Sequence, residues 1–275
     1  MDDPTSYSRL LEHLRRYDRI LVAFSGGVDS SLVLRASLDA LGRDRVLAVT
    51  ADSPSLARRE LEDCFRLAAL LDAPLKVIGT HELDIDGYRK NEGERCYFCK
   101  GELYAQIAKL PEFLPNSVII NGANADDVGD YRPGMKAARE AGVKSPLLEC
   151  GIGKSDVRRL AKEMGIQAWD KPSSPCLASR VPYFSAVDAA KLRQIELAED
   201  ILHREGFAEV RVRHHGTIAR IEVPPARIDA LRCSANYPDL AREIRALGFQ
   251  EVEIDPEGLV SGKLNRALDS ASAKG

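Results

Sequence analysis

The chain has 275 residues, 44% of them apolar, and a formal net charge of −3. That length carries one large or two modest domains with a real core, and the mild acidity excludes a surface that traps nucleic acid by charge alone. Residues 1–4 do not start a signal peptide, no apolar run reaches membrane-spanning length, and the six cysteines point to metal or reactive thiols in a cytoplasmic protein rather than a secreted disulfide framework.

In chain order, a helix is expected over residues 7–17, followed by the apolar strand Ile20-Leu21-Val22-Ala23-Phe24. The strand runs straight into Ser25-Gly26-Gly27-Val28-Asp29-Ser30-Ser31. Two adjacent glycines let the backbone approach an oxyanion that a Cβ would repel. Serines supply hydroxyls, and a helix over 32–41 adds amides with partial positive charge. The stretch is built for a polyphosphate, yet it is neither a G-x-x-x-x-G-K-[ST] loop nor G-x-G-x-x-G. Ser-Gly-Gly-x-Asp-Ser resembles the pyrophosphate loop of the N-type ATP pyrophosphatases, which cut ATP between the α and β phosphates. An ordinary glycine-rich turn is the plainer alternative.

Further strands are expected at 46–50, 75–79 and 117–122, with an amphipathic helix at 56–71. Strands alternating with helices predict an α/β fold with a doubly wound parallel sheet, whose ligands bind beyond the carboxyl ends of the strands. At one such end Thr50-Ala51-Asp52-Ser53 offers backbone groups to an adenine edge. At another, Asn121-Gly122-Ala123-Asn124-Ala125-Asp126-Asp127 offers paired carboxylates to Mg²⁺ or substrate, although Asp127 taken alone is more often a solvated loop acid. Arg132, in the following Gly129–Gly134 stretch, suits a phosphate or carboxylate.

Arg95-Cys96-Tyr97-Phe98-Cys99-Lys100 carries a C-x-x-C spacing. A dithiol redox pair, a zinc site, a cluster and two unrelated cysteines all remain open. Zinc usually wants four ligands and no second C-x-x-C exists; a cluster needs a third cysteine, which Cys176 in Lys171-Pro172-Ser173-Ser174-Pro175-Cys176 supplies. Arg95 and Lys100 favour thiolate. Cys64, Cys150 and Cys233 lie outside any ligand spacing and read as small buried hydrophobes.

Ser155 is expected to cap a helix through Met164, and residues 170–184 form a loop rich in proline and serine. Then the pattern changes: a helix over 186–205, alternating strands at 210–213 and 218–223, a short helix after Pro225, and a last strand at 252–255. A boundary near residue 185 divides a nucleotide domain (1–185) from a small C-terminal α+β domain (186–275), with residues 269–275 as a frayed tail. Arg211, Arg213 and His215 share one face of a strand and suit a phosphate-bearing substrate; an exposed strand face is the equally weighted alternative.

Taken together, the SGGVDSS, NGANADDVGDYRPG, KPSSPCLASR and VRVRHHGTIARIEV segments resemble the ATP-dependent sulfur transferases of the LarE family, over nearly the whole chain. The resemblance implies adenylylation of pyridinium-3,5-biscarboxylic acid mononucleotide, or its half-thiolated form, followed by sulfur transfer to give thiocarboxylates of the nickel-pincer nucleotide cofactor of lactate racemase. Some members sacrifice the cysteine at the Cys176 position and lack the C-x-x-C. This chain has both, like members whose three cysteines hold a 4Fe-4S cluster. The implied ligands are Cys96, Cys99 and Cys176, with a separate sulfide donor. ATP and Mg²⁺ are implied at Ala23, Ser25, Gly26, Gly27, Asp29, Ser30, Thr50, Gly122 and Asp127. Cys176, Asp29 and Lys100 are implied as catalytic, and Lys100, Arg180, Arg211 and Arg213 as groups for the substrate's phosphate and carboxylates. Glu199 matches an acidic interface site, and a homo-oligomer formed through the smaller domain is implied, with neither nucleic acid nor membrane as a partner. The rival readings are a tRNA thiolase, an amide-forming synthetase and a non-catalytic nucleotide module.

Overall fold

The computed structural model describes residues 6–127, 133–260, 263 and 266. In chain order the principal elements are α1 (Ser6–Leu14), β1 (Arg19–Ala23), α2 (Val28–Leu41), β2 (Val46–Asp52), α3 (Arg58–Leu70), β3 (Leu75–Gly79), α4 (Asp86–Lys90), α5 (Arg95–Ala108), β4 (Ser117–Ile120), α6 (Pro133–Glu140), α7 (Pro146–Glu149), α8 (Lys154–Glu163), α9 (Ala189–Arg204), β5 (Arg211–His215), β6 (Ile218–Glu222), α10 (Ile228–Arg232), α11 (Tyr237–Ala246) and β7 (Glu251–Ile254). None of the described helices is long and apolar enough to cross a membrane.

The chain divides into two units, residues 1–82 with 96–174, and residues 83–95 with 175–275. In the first, four parallel strands stand in the order β3-β2-β1-β4, with Ile20 beside Val46 on one side and Val118 on the other. Successive residues of a strand point to opposite faces, and both faces are buried. Ile20 and Val22 join a core with Leu10, Leu32, Leu67 and Leu160, while Leu21 joins a second core with Val49, Leu103, Ile107 and Ile119. This is the expected doubly wound α/β arrangement. The chain steps from β1 outward to β2 and β3, then returns to place β4 on the other side of β1. The loop after β1 therefore sits where strand order reverses, the usual ligand crevice of such sheets.

The second unit is a three-stranded sheet, β5-β6-β7. β5 and β6 pair antiparallel, as their alternation predicts, and β7 joins β6 in parallel. Val212, Ala219 and Ile221 pack with Ala198, Ile201 and Leu202 of α9 and with Leu240 and Ile244 of α11.

Several boundaries differ from the sequence reading. α2 begins at Val28, so Asp29, Ser30 and Ser31 lie inside the helix rather than before it. α8 is preceded by Gly153, and Ser155 lies within it with no capping role. The C-x-x-C opens a helix, α5. The division between units falls after Ser174 rather than near 185, and it moves residues 83–95 as well. Asn91 explains this. Its side-chain amide donates to the carbonyls of Pro182 (2.8 Å) and Ser185 (3.1 Å), and its own carbonyl accepts from the Phe184 amide (3.1 Å). Arg132 and the 269–275 tail lie outside the described residues.

Candidate active site

Phe24 extends the β1 register, its amide donating to the Val49 carbonyl (2.9 Å). Gly26 then adopts φ +68°, a conformation that disfavours a side chain, and a methyl there would come within 3.0 Å of Cys64 Sγ. Gly27 precedes α2 with no side-chain cap, which leaves the first-turn amides without an internal partner. Ser30 Oγ ties the loop together, 3.2 Å from Ser25 Oγ and donating to the Gly27 carbonyl (3.1 Å). Thr50 commits its hydroxyl to the Phe24 carbonyl (2.9 Å), so its side chain holds β2 to the loop. Ala23 ends β1 with its side chain half-buried.

β4 closes in from the other side. A methyl on Gly122 would stand 2.7 Å from the Ser30 nitrogen and 3.0 Å from the Asp29 carbonyl carbon, so only glycine lets this turn lie against the start of α2. Asn124 donates to Asp29 Oδ1 (3.0 Å), and Lys154 Nζ pairs with the other carboxylate oxygen. Asp126 accepts from the Lys154 amide (2.7 Å), and Asp127 from the Asn124 amide (3.0 Å). One oxygen of each acid thus braces the loop. Carboxylates carried on this loop offer the hard oxygen donors that Mg²⁺ takes. Lys154 was missed in the sequence; its pairing with Asp29 spans 125 residues and leaves no local signal.

Cys64, on α3, is fully buried, and burial pushes its thiol up to about 11. It belongs to the inert class expected of it. Cys150 is half-buried, and burial raises its pKa too. Cys233, expected to be buried, is exposed. Cys96 is exposed and Cys99 half-exposed, one turn apart at the start of α5. Gly134 of α6 packs there, where a methyl would lie 3.2 Å from Lys100 Cγ and 3.6 Å from the Cys96 carbonyl oxygen. Cys176 is half-exposed and belongs to the second unit. Among the described residues no three ligand-type side chains are gathered as a metal site. A set of three thiols has the chemistry of an iron–sulfur ligand set, and Cys96 and Cys99 supply an adjacent pair.

In the second unit the three arginines separate into two classes. Arg180 and Glu199 are each 2% exposed, and they pair through two parallel bonds of 2.8 and 3.1 Å. Glu199 also accepts from the Val212 amide (2.9 Å), and Arg180 holds the carbonyls of Pro175 and Cys176. Arg213 is paired with Glu222 (2.7 Å) and donates to the Ser179 carbonyl (2.7 Å). Arg211 stands opposite Glu222 in the register, but that carboxylate is engaged by Arg213. Among the described residues the Arg211 guanidinium has no hydrogen bond or ion pair. Burial, and then the charges of Arg180 and Arg213, lower its pKa. His214 turns to the other face, against Phe249 and Gln194.

A family model described as NAD synthase matches residues 11–105. An uncharacterized protein of Synechocystis is 43% identical over 94% of this chain and 97% of its own length. The pyridinium-3,5-bisthiocarboxylic acid mononucleotide synthase of Lactiplantibacillus plantarum is 37% identical over 97% of this chain and 96% of its own. A tRNA-specific 2-thiouridylase of Azorhizobium caulinodans is more distant, 29% identical over 73% of this chain and 60% of its own length. A glycine-framed phosphate loop at the strand reversal, in a chain that aligns nearly end to end with the Lactiplantibacillus synthase, leads to one conclusion: the chain belongs to the LarE family of ATP-dependent sulfur transferases.

Proposed function

We propose that this chain adenylylates the carboxylates of pyridinium-3,5-biscarboxylic acid mononucleotide and converts them to thiocarboxylates for the nickel-pincer nucleotide cofactor, acting in the cytoplasm. The observation that carries the reading is the loop at Gly26 and Gly27, where uncapped α2 amides meet a turn that Gly122 lets approach. Oriented amides at a helix start bind phosphate oxygens. In this reading Ser25, Gly26, Gly27 and Ser30 hold the triphosphate, and Ala23 and Thr50 border the base. Asp29 and Asp127 face the Mg²⁺ that accompanies ATP. Lys154 rests on Asp29 and is the ammonium for which an incoming phosphate competes.

A carboxylate is a poor electrophile because its leaving group would be oxide. Attack of a substrate carboxylate oxygen on the α phosphorus releases pyrophosphate and leaves an acyl-adenylate. A sulfur nucleophile then forms the C–S bond as the C–O bond to AMP breaks. Arg211, half-buried and with no ion pair among the described residues, is assigned to the substrate's phosphate. Arg180 and Arg213 contribute positive field around it, and Lys100 is assigned to a substrate carboxylate. Cys96, Cys99 and Cys176 are the candidate ligands of a 4Fe-4S cluster, which would supply a deprotonated sulfide replenished by an external donor. The small unit is proposed to form a homo-oligomer.

Incubation with ATP, Mg²⁺, sulfide and the biscarboxylate mononucleotide is expected to yield AMP, pyrophosphate and thiocarboxylate in matched amounts. ADP in place of AMP would overturn the reading. Anaerobic reconstitution is expected to load about four irons per chain. Mass loss of one H₂S from Cys176 would instead identify sacrificial transfer.

A further inference from the structure

Around β5 and β6 the buried charges of the second unit come in pairs. Arg180 is matched to Glu199, and Arg213 to one oxygen of Glu222 (2.7 Å). The turn after β7 brings a third pair. The Asp255 amide donates to the Ile221 carbonyl (2.8 Å) and the Leu259 amide to the Val223 carbonyl (2.9 Å), which lays residues 255–259 along the end of β6. Lys263 follows, and its ammonium stands 2.6 Å from Asp255 and 3.6 Å from the second oxygen of Glu222. Both carboxylates are almost fully buried. Burial opposes the charge on Asp255, but the Lys263 ammonium and the amides of Glu257 and Gly258 outweigh it and hold its carboxyl below the usual range. Glu199, Glu222 and Asp255 thus each have a cation, and among the described residues Arg211 is the one left over beside them.

Position alone would pair it. Arg211 stands directly opposite Glu222, and residues facing each other across an antiparallel pair have Cβ atoms about 4.5–5.5 Å apart, within reach for opposite charges. Arg213 reaches the same carboxylate along the diagonal. Between them Arg213 and Lys263 stand on its two oxygens.

We propose that Lys263 is a positioning residue: held by Asp255 and standing on the second oxygen of Glu222, it keeps that carboxylate from capturing Arg211 and so leaves the Arg211 guanidinium open to the substrate's phosphate. The inference rests on the assignment of Arg211 made above and adds the residue that keeps it available. A Glu222 with one oxygen vacant is a strong competitor for that guanidinium, because it is buried, adjacent and already part of the chain. Lys263 removes the competitor by charge, without touching the ligand.

The test is Lys263→Met, with Lys263→Arg as the conservative control. Lys263→Met strands Asp255, so Asp255→Asn/Lys263→Met is made alongside it; the double variant reopens Glu222 without leaving a second buried charge unpaired. Calorimetry measures affinity for pyridinium-3,5-biscarboxylic acid mononucleotide and, separately, for a non-hydrolysable ATP analogue. Both variants are expected to bind the mononucleotide about 10-fold more weakly than wild type, the scale of one charge-assisted hydrogen bond, and the ATP analogue within about twofold. Lys263→Arg is expected to recover most of the affinity. In an Arg211→Ala background Lys263→Met is expected to cost nothing further, because the guanidinium to be captured is gone. A loss in that background as large as in wild type would be a field effect of the missing charge and overturns the proposal, as do unchanged mononucleotide affinity in the double variant and parallel loss of both ligands. A crystal structure of Asp255→Asn/Lys263→Met gives an arm that needs no ligand: the Arg211 guanidinium is expected to have moved onto Glu222, and a guanidinium that stays apart from it overturns the proposal. If Arg211→Ala alone binds the mononucleotide as tightly as wild type, the assignment of Arg211 to the phosphate fails instead, and the crystal structure still judges the role of Lys263.

Discussion

Gly26 and Gly122 show how a single missing Cβ shapes the proposed nucleotide site. A methyl at Gly122 meets backbone, the Ser30 nitrogen and the Asp29 carbonyl carbon, and a helix start cannot yield without losing its amide alignment. A methyl at Gly26 meets the Cys64 thiol and must also adopt φ +68°, which costs a non-glycine residue about 1–2 kcal/mol. Gly122→Ala is therefore expected to reduce affinity for a non-hydrolysable ATP analogue more than Gly26→Ala, as read by calorimetry. Gly26→Ala is expected to show mainly a stability loss of about 1–2 kcal/mol in denaturant unfolding. Wild-type nucleotide affinity in Gly122→Ala would contradict this account. The strand, glycine turn and helix around Gly26 were legible in the sequence because their parts are contiguous. Lys154 was not, because its partner Asp29 lies 125 residues away and only the fold brings them together.

At the scale of the element, β5 carries its charges with period two, and that much was readable from alternation. Which arginine is satisfied was not, because it depends on the pairing of β5 with β6 and on the placement of Glu199. The consequence is a split between variants. Arg213→Ala leaves the buried Glu222 carboxylate with only the longer contact to Lys263 (3.6 Å) among the described residues and is expected to cost about 3 kcal/mol in unfolding free energy. Arg211→Ala removes a half-buried guanidinium on which burial and the charges of Arg180 and Arg213 outweigh the pull of Glu222 and Glu199, so stability is expected to hold or rise while affinity for the mononucleotide substrate falls. A substantial stability loss in Arg211→Ala would show that it is paired after all. α5 was missed for a different reason. Its first two turns contain Cys96, Tyr97, Phe98, Cys99 and Gly101, residues of modest or poor helix propensity, and the packing of Leu103, Tyr104 and Ile107 against one face of the sheet overrides that preference.

At the scale of the molecule, the α/β class and the existence of two units follow from the order of strands and helices, but their composition does not. Residues 83–95 lie between β3 and α5 in sequence and belong to the unit built mainly from residues 175–275. No change in composition marks that excursion; the Asn91 amide and the carbonyls it meets are some 90 residues apart. Asn91→Ala removes those buried bonds and the Asn91 oxygen that accepts from Arg95 (2.5 Å). It is expected to lower stability by roughly 2–4 kcal/mol, at about 1 kcal/mol per bond, and to speed hydrogen exchange in residues 181–187 and α9 while sparing β1 and β4. Faster exchange confined to the parallel sheet would mean that 83–95 serves the nucleotide unit instead.

The thiol wedged beneath Gly26 makes the protein its own stopwatch. A reagent can reach Cys64 only when the floor under the nucleotide cradle lifts, so the pace of labelling in native buffer counts those openings directly. Any ligand that seats itself on the cradle from above should slow the count, with no need to engineer a probe.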